Sequence, residues 1–164
     1  MSELDHGLVT VWTRVSVSAD EFWSVLRDWA AVLDWVLPDG MAQPSRVVLA
    51  EGHHVDVLPC TRVIDATPDQ TYRHEETLFL ADPEARRLYY TFSGVPGGMR
   101  NYVATTFVDP EDDGGAMVTC SASFDLPRTA SMERVERSLR ETFEVRIARG
   151  IEGAVVARRR ESNR

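Results

Sequence analysis

Apolar and polar side chains alternate at the start of the chain, which predicts a strand with one buried face. Val9, Val11, Val15 and Val17 alternate with more hydrophilic neighbours. Trp12 falls on the other side of this strand, so we expect its side chain to be exposed. An exposed tryptophan there hints at a contact surface, and a homodimer is therefore possible.

Two short helices are predicted directly after this strand. Ser18 provides an N-cap, and Glu21 three residues later completes a capping box. Apolar residues at helical spacing follow, namely Phe22, Trp23, Leu26, Trp29 and Ala30. A second helical stretch covers about residues 31–35 and ends at the turn signal Leu37-Pro38-Asp39-Gly40.

Six strand-like segments come next, separated by short stretches rich in Gly, Pro and Asp. They cover residues 46–50, 55–64, 72–80, 88–93, 102–108 and 117–124. No helix intervenes, and parallel neighbours would need long crossovers, so the pattern predicts an antiparallel sheet.

The pattern changes after Pro127, where residues 131–158 contain no proline and carry one apolar stripe at helical spacing. The stripe consists of Val135, Leu139, Phe143, Ile147, Ile151 and Ala154. A helix of about 27 residues is long enough to cover the concave face of such a sheet. We therefore predict a single α+β domain over residues 1–164, a seven-stranded curved antiparallel sheet wrapped around a long C-terminal helix. Residues 159–164 are expected to fray.

Charge excludes some classes of function. The net charge is −8 and the pI is near 5.0, which argues against nucleic acid and against anionic membrane surfaces as partners. All 18 basic residues are arginine, so a Schiff base through a lysine is excluded. The N-terminus is polar and no apolar run reaches about 18 residues, so a cytoplasmic protein is expected.

Few motifs for covalent or metal chemistry are present. Cys60 and Cys120 are expected to be buried and reduced, with a ligand-facing or reactive thiol as the alternative. His53-His54-x-Asp56 lies in a turn and recruits no further ligand, so no metal is expected. The chain has no Ser-His-Asp order, no nucleophile elbow and no phosphate-binding glycine loop, so no cofactor is expected either.

Several short segments, in their order along the chain, resemble one known superfamily. They are Ala19 to Trp23, Arg27-Asp28 with Trp35 and Pro38, Cys60-Thr61-Arg62, Glu76-Thr77-Leu78 to Asp82, Asn101-Tyr102-Val103-Ala104-Thr105, and Gly114-Gly115 to Ser123-Phe124-Asp125. Together they resemble the START/Bet v 1-like (SRPBCC) superfamily, especially its bacterial polyketide cyclase/dehydrase branch. The resemblance covers nearly the whole chain and implies a helix-grip fold with a cavity beneath the long helix.

Two loops and one strand start complicate the comparison. Residues 97–102 are similar to the latch loop of plant abscisic-acid receptors, and residues 65–71 stand where the gate loop does. The glycine pair in the first loop lacks polar side chains, so hormone sensing is not implied. Pro59-Cys60 replaces a glycine that many relatives carry, and an edge position or bulge is expected there.

Alternation within this fold selects the residues that face the cavity. On the strand after the gate loop the inward series is Tyr72, His74, Glu76, Leu78 and Leu80. Arg62, Ile64 and Ala66 face inward on the preceding strand, which places Arg62 near Glu76. This pair is expected to be a structural ion pair or a polar patch that orients a ligand, with surface exposure as a third reading.

Two ionisable residues are the main candidates for chemistry. His74 can act as a general acid or base, although a lone histidine on an apolar face is more often a satisfied core residue. Arg146 lies about 20° from Leu139 on the helical wheel, inside the apolar stripe. Its side chain could reach water, pair with a carboxylate such as Glu76, or bind an anionic or carbonyl group of a ligand. Gly150, one turn on, leaves space beside it.

The resemblance, combined with this placement, gives the candidate site. The proposed catalytic residues are His74, Tyr102 and Arg146. The proposed ligand-binding residues are Trp35, Arg62, Ile64, Glu76, Tyr90, Phe92, Met99, Cys120, Leu139, Phe143 and Ile147. The expected function is binding of a small apolar or polycyclic molecule, with a cofactor-independent cyclase or dehydratase reaction of small-molecule biosynthesis. The alternative is a non-catalytic carrier or sensor of a hydrophobic metabolite.

Overall fold

The structure, a computed structural model, describes residues 3–69, 72–94 and 98–164. The expected gate loop (65–71) and latch loop (97–102) therefore lie partly outside the described residues. The seven strands are β1 (Leu4–Val15), β2 (Arg46–Leu49), β3 (Cys60–Asp65), β4 (Arg73–Asp82), β5 (Arg87–Ser93), β6 (Arg100–Pro110) and β7 (Ala116–Pro127). The helices are α1 (Ala19–Leu26), a 3₁₀ turn (Ala31–Asp34), α2 (Met132–Glu141), a π-helical segment (Thr142–Arg149) and α3 (Gly150–Ser162).

The seven strands form one antiparallel sheet in the order β1-β7-β6-β5-β4-β3-β2. β1 and β2 are the two edge strands, so the segment between them, which contains α1 and the 3₁₀ turn, crosses from one edge of the sheet to the other. Successive hairpins then lead back to β7, which pairs with β1. The last three helical elements run on without a break, and we call them together the C-terminal helix. This confirms the predicted α+β helix-grip architecture.

The capping box predicted at α1 is present. Ser18 Oγ accepts the backbone N–H of Glu21, and the Glu21 carboxylate accepts the backbone N–H of Ser18 at 3.1 Å. The second helical stretch is a single 3₁₀ turn that ends at Asp34. Both predicted short helices are therefore present, the second one tighter than an α-helix.

The strand predicted from residue 55 begins only at Cys60, and Val57 is exposed. Pro59 lies just before β3, where its missing N–H breaks no ladder bond. A separate irregularity lies in β4, where the register with β5 shifts between Leu78 and Leu80. The extra residue there inverts the alternation.

The predicted inward series of β4 is therefore correct only in its middle. His74, Glu76 and Leu78 face the interior, but Leu80 is 45% exposed because it follows the bulge. Tyr72 is 59% exposed because it precedes the first residue of the strand. Both ends of the series were therefore wrong, and the Leu80 end could not be predicted because a bulge leaves no mark in the alternation of a single sequence.

The C-terminal helix contains a π-helical segment, Thr142–Arg149, in which hydrogen bonds reach back five residues. The Gly150 N–H, for example, faces the carbonyl oxygen of Val145. Such segments often occur at functional sites. The helix continues to Ser162, beyond the end predicted from the stripe, and Arg159 there pairs with Glu21. Among the described residues, no helix is long and apolar enough to cross a membrane.

Candidate functional site

A cavity of about 420 Å³ lies between the sheet and the C-terminal helix. Its sheet side is formed by Arg62, Ile64, Ala66, His74, Glu76, Tyr90, Phe92, Met99 and Tyr102, which all belong to β3–β6 or to the loops beside them. Its helix side is formed by Val135, Ser138, Leu139, Thr142, Arg146 and Ile147. The third wall comprises Val32, Trp35, Leu37, Ala42, Gln43 and Pro44. The volume is in the range of small-molecule sites.

Arg62 and Glu76 form a buried ion pair at the bottom of this cavity. They are direct cross-strand partners on β3 and β4, and Arg62 Nε donates to Glu76 Oε2 at 2.6 Å. Arg62 is 5% exposed, its Nη1 donates to the Trp29 carbonyl at 3.2 Å, and its Cζ lies 3.6 Å from the centroid of the Trp29 ring. The guanidinium is thus paired and stacked, and the surface-exposed reading of this pair is wrong.

His74 lies beside the same carboxylate. Its Nε2 is 3.6 Å from Glu76 Oε1, and its ring packs edge-on against Phe92 with centroids 4.6 Å apart. Burial opposes the ionisation of Glu76, but Arg62 and His74 outweigh it and hold the pKa of Glu76 below its usual value. Glu76 is therefore an anion that can orient the imidazole and stabilise its protonated form.

Tyr90 and Tyr102 complete this part of the cavity. Burial is the main cause that raises the pKa of both phenols well above the ordinary value, and the nearby Glu76 charge adds to it. Tyr102 packs against Phe92 at 5.4 Å and Tyr90 against Trp29 at 5.3 Å between ring centroids. Both hydroxyls stay neutral at physiological pH, so they can donate a hydrogen bond but cannot act as bases. We call the group Arg62, His74, Glu76, Tyr90 and Tyr102 the floor.

Residues 35–44, which we call the strap, cross the cavity next to the C-terminal helix. The Val36 N–H donates to the Gly150 carbonyl at 2.9 Å, and Gln43 Nε2 donates to the Trp35 carbonyl at 2.7 Å. Arg146 Nη1 donates to the carbonyl of Ala42 at 2.9 Å. Ala42 is exposed, so this contact lies at the solvent side of the cavity, and we call it the rim.

The structure brings most of the predicted site residues together. His74, Tyr102 and Arg146 all line the cavity, as do nine of the eleven proposed ligand-binding residues: Trp35, Arg62, Ile64, Glu76, Tyr90, Phe92, Met99, Leu139 and Ile147. Arg146 reaches the rim and pairs with a backbone carbonyl, not with Glu76, whose oxygens face Arg62 and His74.

Cys120 and Phe143 are the two predicted ligand-binding residues that do not line the cavity. Cys120 lies on β7, whereas the sheet side of the cavity is confined to β3–β6. Burial raises the pKa of its thiol to about 12, which disfavours the reactive-thiol reading. Phe143 belongs to the π-helical segment, which packs on β1 and β7, and it is fully buried in the core.

Other lining residues were missed by the sequence interpretation. Most of the strap has no periodic pattern, so nothing marked Leu37, Ala42, Gln43 or Pro44. Ser138 and Thr142 did leave a signal, because with Arg146 they recur every four residues beside the apolar stripe. The line of polar residues along one edge of the stripe thus marked residues that line the cavity.

The candidate metal motif has a structural role in part. His53 Nδ1 accepts the backbone N–H of Thr61 at 3.0 Å, which ties the loop before β3 to the strand. In the described part of the chain, no three His, Cys, Asp or Glu side chains are placed to hold a metal ion.

Comparison with known proteins shows one family and a set of structural neighbours. The model of the family described as polyketide cyclase / dehydrase and lipid transport matches residues 7–154. A Thermobifida fusca protein solved by NMR is 25% identical, with a TM-score of 0.65, and the match covers 92% of this chain and 91% of that one. A point mutant of norcoclaurine synthase from Thalictrum flavum, in complex with a transition-state analogue, is 17% identical with a TM-score of 0.71. That match covers 97% of this chain and 99% of the synthase. No curated protein matches the chain.

Proposed function

The chain belongs to the polyketide cyclase / dehydrase and lipid transport family, and from that premise we propose that it binds a small, largely apolar molecule in its cavity and acts on it as a cofactor-independent cyclase or dehydratase. The match spans nearly the whole domain and supports the resemblance to SRPBCC proteins. We place its action in the cytoplasm, where the two free, buried cysteines would stay reduced.

The arrangement of the floor is the main support for this proposal. His74 Nε2 lies 3.6 Å from Oε1 of the ionised Glu76, and the imidazole faces the cavity together with the two neutral phenols of Tyr90 and Tyr102. His74 would take a proton from the carbon next to a ligand carbonyl. Tyr90 and Tyr102 would donate hydrogen bonds to the enolate oxygen that forms. The imidazolium, stabilised by Glu76, would then return the proton to a departing hydroxyl, which leaves as water when the C–O bond breaks.

The cavity would supply the remaining requirement of a cyclisation, which is a folded ligand. Leu139, Ile147 and Phe92 give it apolar walls, and a bound chain held between them loses the freedom that opposes ring closure. The Arg62 guanidinium, already shared between Glu76 and Trp29, would position Glu76 rather than contact the ligand oxygen. A role for Arg146 in stabilising a carbonyl or enolate oxygen stays a prediction.

Internal charge balance on the floor favours a second candidate, a non-catalytic carrier or sensor. Arg62 and Glu76 neutralise each other, and both tyrosines are held neutral. A site with this charge balance can bind a ligand without transferring a proton to or from it. Both candidate functions predict ligand binding, so only a measurement of turnover distinguishes the enzyme from the carrier.

The experiment compares paired variants with a metabolite extract as the substrate source. His74→Gln and Tyr102→Phe remove the proton carrier and one donor, while His54→Gln and Tyr89→Phe make the same changes outside the cavity. Mass spectrometry follows which compounds the wild-type protein consumes. We expect the two cavity variants to lose about 10²- to 10⁴-fold in rate, and the two controls to retain wild-type rates.

Thermal shift with the same fractions reports binding separately from turnover. A compound that raises the melting temperature of the wild type and is never converted would establish the carrier. Conversion that survives in both cavity variants would contradict the mechanism given for the floor.

A further inference from the structure

The charges that line the cavity do not cancel. Arg62 is paired with Glu76, so its charge is compensated. Arg146 also lines the cavity, but its hydrogen bond is to the neutral carbonyl of Ala42. Within residues 3–69, 72–94 and 98–164, no carboxylate oxygen lies within 4 Å of the Arg146 guanidinium. Among the arginine and glutamate side chains of the described lining, the positive charge of Arg146 is thus uncompensated, in a protein whose net charge is −8.

Arg146 also has unused donors beside it. A guanidinium has five N–H groups, and the contact with Ala42 uses one nitrogen. The hydroxyls of Thr142 and Ser138 lie one and two turns earlier on the same helix, and both residues line the cavity. The helix therefore presents a line of hydrogen-bond donors to the interior, with a cation at its rim end.

The floor and the rim differ in the free-energy cost of desolvating an anionic group of a ligand. The floor is buried and already holds the Glu76 carboxylate, so a second permanent negative charge there would be desolvated beside a like charge. The rim is open, because Ala42 and Gln43 are exposed. An anionic group can therefore pair with Arg146 while it keeps part of its hydration.

We propose that the ligand is an amphiphile with one anionic oxygen-acid group, such as a carboxylate, held at the rim by Arg146 and the Thr142 hydroxyl. Its apolar body lies against Leu139 and Ile147, and an uncharged oxygen reaches the tyrosines of the floor. The inference rests on the proposed function, because it assumes that the cavity is the binding site. It adds the charge of the ligand and its direction in the cavity.

A pair of fluorescent probes that differ in one charged group tests the proposal. 1-Anilinonaphthalene-8-sulfonate carries a sulfonate, and N-phenyl-1-naphthylamine is the same skeleton without it. In Arg146→Gln we expect the sulfonate probe to bind about tenfold more weakly and the neutral probe to bind as it does to the wild type. Arg146→Lys keeps the charge and should restore most of the lost affinity.

The matched control is Arg149→Gln on the same helix. Arg149 donates to the Arg14 carbonyl and to Glu152, outside the cavity, so this variant should leave both affinities unchanged. Circular dichroism of each variant checks that the helix is intact.

The outcomes separate the two proposals. If Arg146→Gln weakens both probes equally, Arg146 only holds the strap through Ala42, and the anion site is overturned. If it weakens neither, the anion site is also overturned. In both cases cavity binding stands, provided that Leu139→Trp, which fills the cavity, abolishes binding of the neutral probe. Binding of the neutral probe that survives in Leu139→Trp would instead refute the cavity as the binding site, and the anion site with it.

Discussion

Arg62 donates hydrogen bonds to Glu76 through Nε and to the Trp29 carbonyl through Nη1, and its Nη2 forms an ion pair with the same Glu76 oxygen. The ring of Trp29 covers the guanidinium from one side. This arrangement satisfies both charges in a buried place, where either one alone would be strongly unfavourable. The pair therefore fixes Glu76, and through it the position of His74.

Arg62→Met should destabilise the protein by about 3–5 kcal/mol, because it leaves Glu76 buried without its partner. The double variant Arg62→Met/Glu76→Leu should recover most of this loss, since it removes both charges. Urea denaturation measures the free energy of unfolding of each variant. Arg137→Met, which breaks an exposed pair with Glu133, is the control and should cost less than about 1 kcal/mol. If Arg62→Met lowers the free energy of unfolding no more than Arg137→Met does, the buried Glu76 does not depend on its partner.

Alternation and register explain why the floor could be predicted. Arg62, His74 and Glu76 occupy inward positions of two adjacent strands, and a period of two fixes which side chains share a face. The partner of Arg146 could not be predicted in this way. Its acceptor, the Ala42 carbonyl, lies in a loop whose path follows from packing against the helix and not from any repeat.

The strap and the C-terminal helix touch through two glycines one turn apart. A Cβ on Gly153 would lie 2.9 Å from Val36 Cβ and 3.0 Å from the Val36 carbonyl oxygen. A Cβ on Gly150 would meet the end of the Leu37 side chain at 3.1 Å, which is easier to displace. Because Gly153 has no side chain, the backbone of the strap can approach the helix closely and form one wall of the cavity.

Gly153→Ala should destabilise the protein by about 1–3 kcal/mol, although alanine favours helix by about 1 kcal/mol, because the clash involves the backbone of Val36. Gly150→Ala is the matched control and should be close to neutral or stabilising. Urea denaturation gives the two stabilities, and binding of N-phenyl-1-naphthylamine shows whether the strap still forms the wall. A stabilised Gly153→Ala variant with unchanged probe binding would show that the strap does not depend on this contact.

The edge strand β1 is covered by the same helix. Arg140 donates to the Thr10 carbonyl at 3.4 Å and Arg149 to the Arg14 carbonyl at 3.0 Å. Arginines that bind the outer carbonyls of an edge strand oppose pairing with another sheet. Trp12 is 67% exposed, as expected, and the homodimer stays a prediction. Such a dimer would use the outer face of β1 and not its edge.

Element boundaries show the limits of periodicity. The capping box and the apolar stripe correctly predicted where α1 begins and that one long helix ends the chain. The π-helical segment was not predicted, because apolar residues four apart, as from Val135 to Ile151, are also the ordinary pattern of an α-helical stripe. The start of β3 was placed too early because Val55 and Val57 are apolar, although they lie in an exposed turn.

Two carboxylates join the beginning of the chain to its end. Glu21 of α1 receives Arg159 Nε at 2.8 Å, and Glu152 of α3 receives the backbone N–H of Ser16 at 2.6 Å. Hydrogen bonds from Arg159 and then Ser18 lower the pKa of Glu21 to about 2. Burial opposes the ionisation of Glu152, but Ser16 and Arg149 outweigh it and lower its pKa as well. We call these contacts the seam.

The seam should make the grip of the sheet on the helix sensitive to acid. A carboxyl group whose pKa is lowered on folding contributes stability above its ordinary pKa, near 4.5, and that contribution disappears as the pH falls through the folded value. For Glu21 the loss should extend from about pH 4.5 to about pH 2. Urea midpoints between pH 2 and pH 7 should show Glu21→Gln/Glu152→Gln less stable than the wild type at neutral pH, with the gap closing in this window. Glu133→Gln, in an exposed pair within α2, controls for the loss of acidic charge. A gap that stays constant down to pH 2 would mean that the two carboxylates act only through shape and hydrogen bonding, and not through their charge.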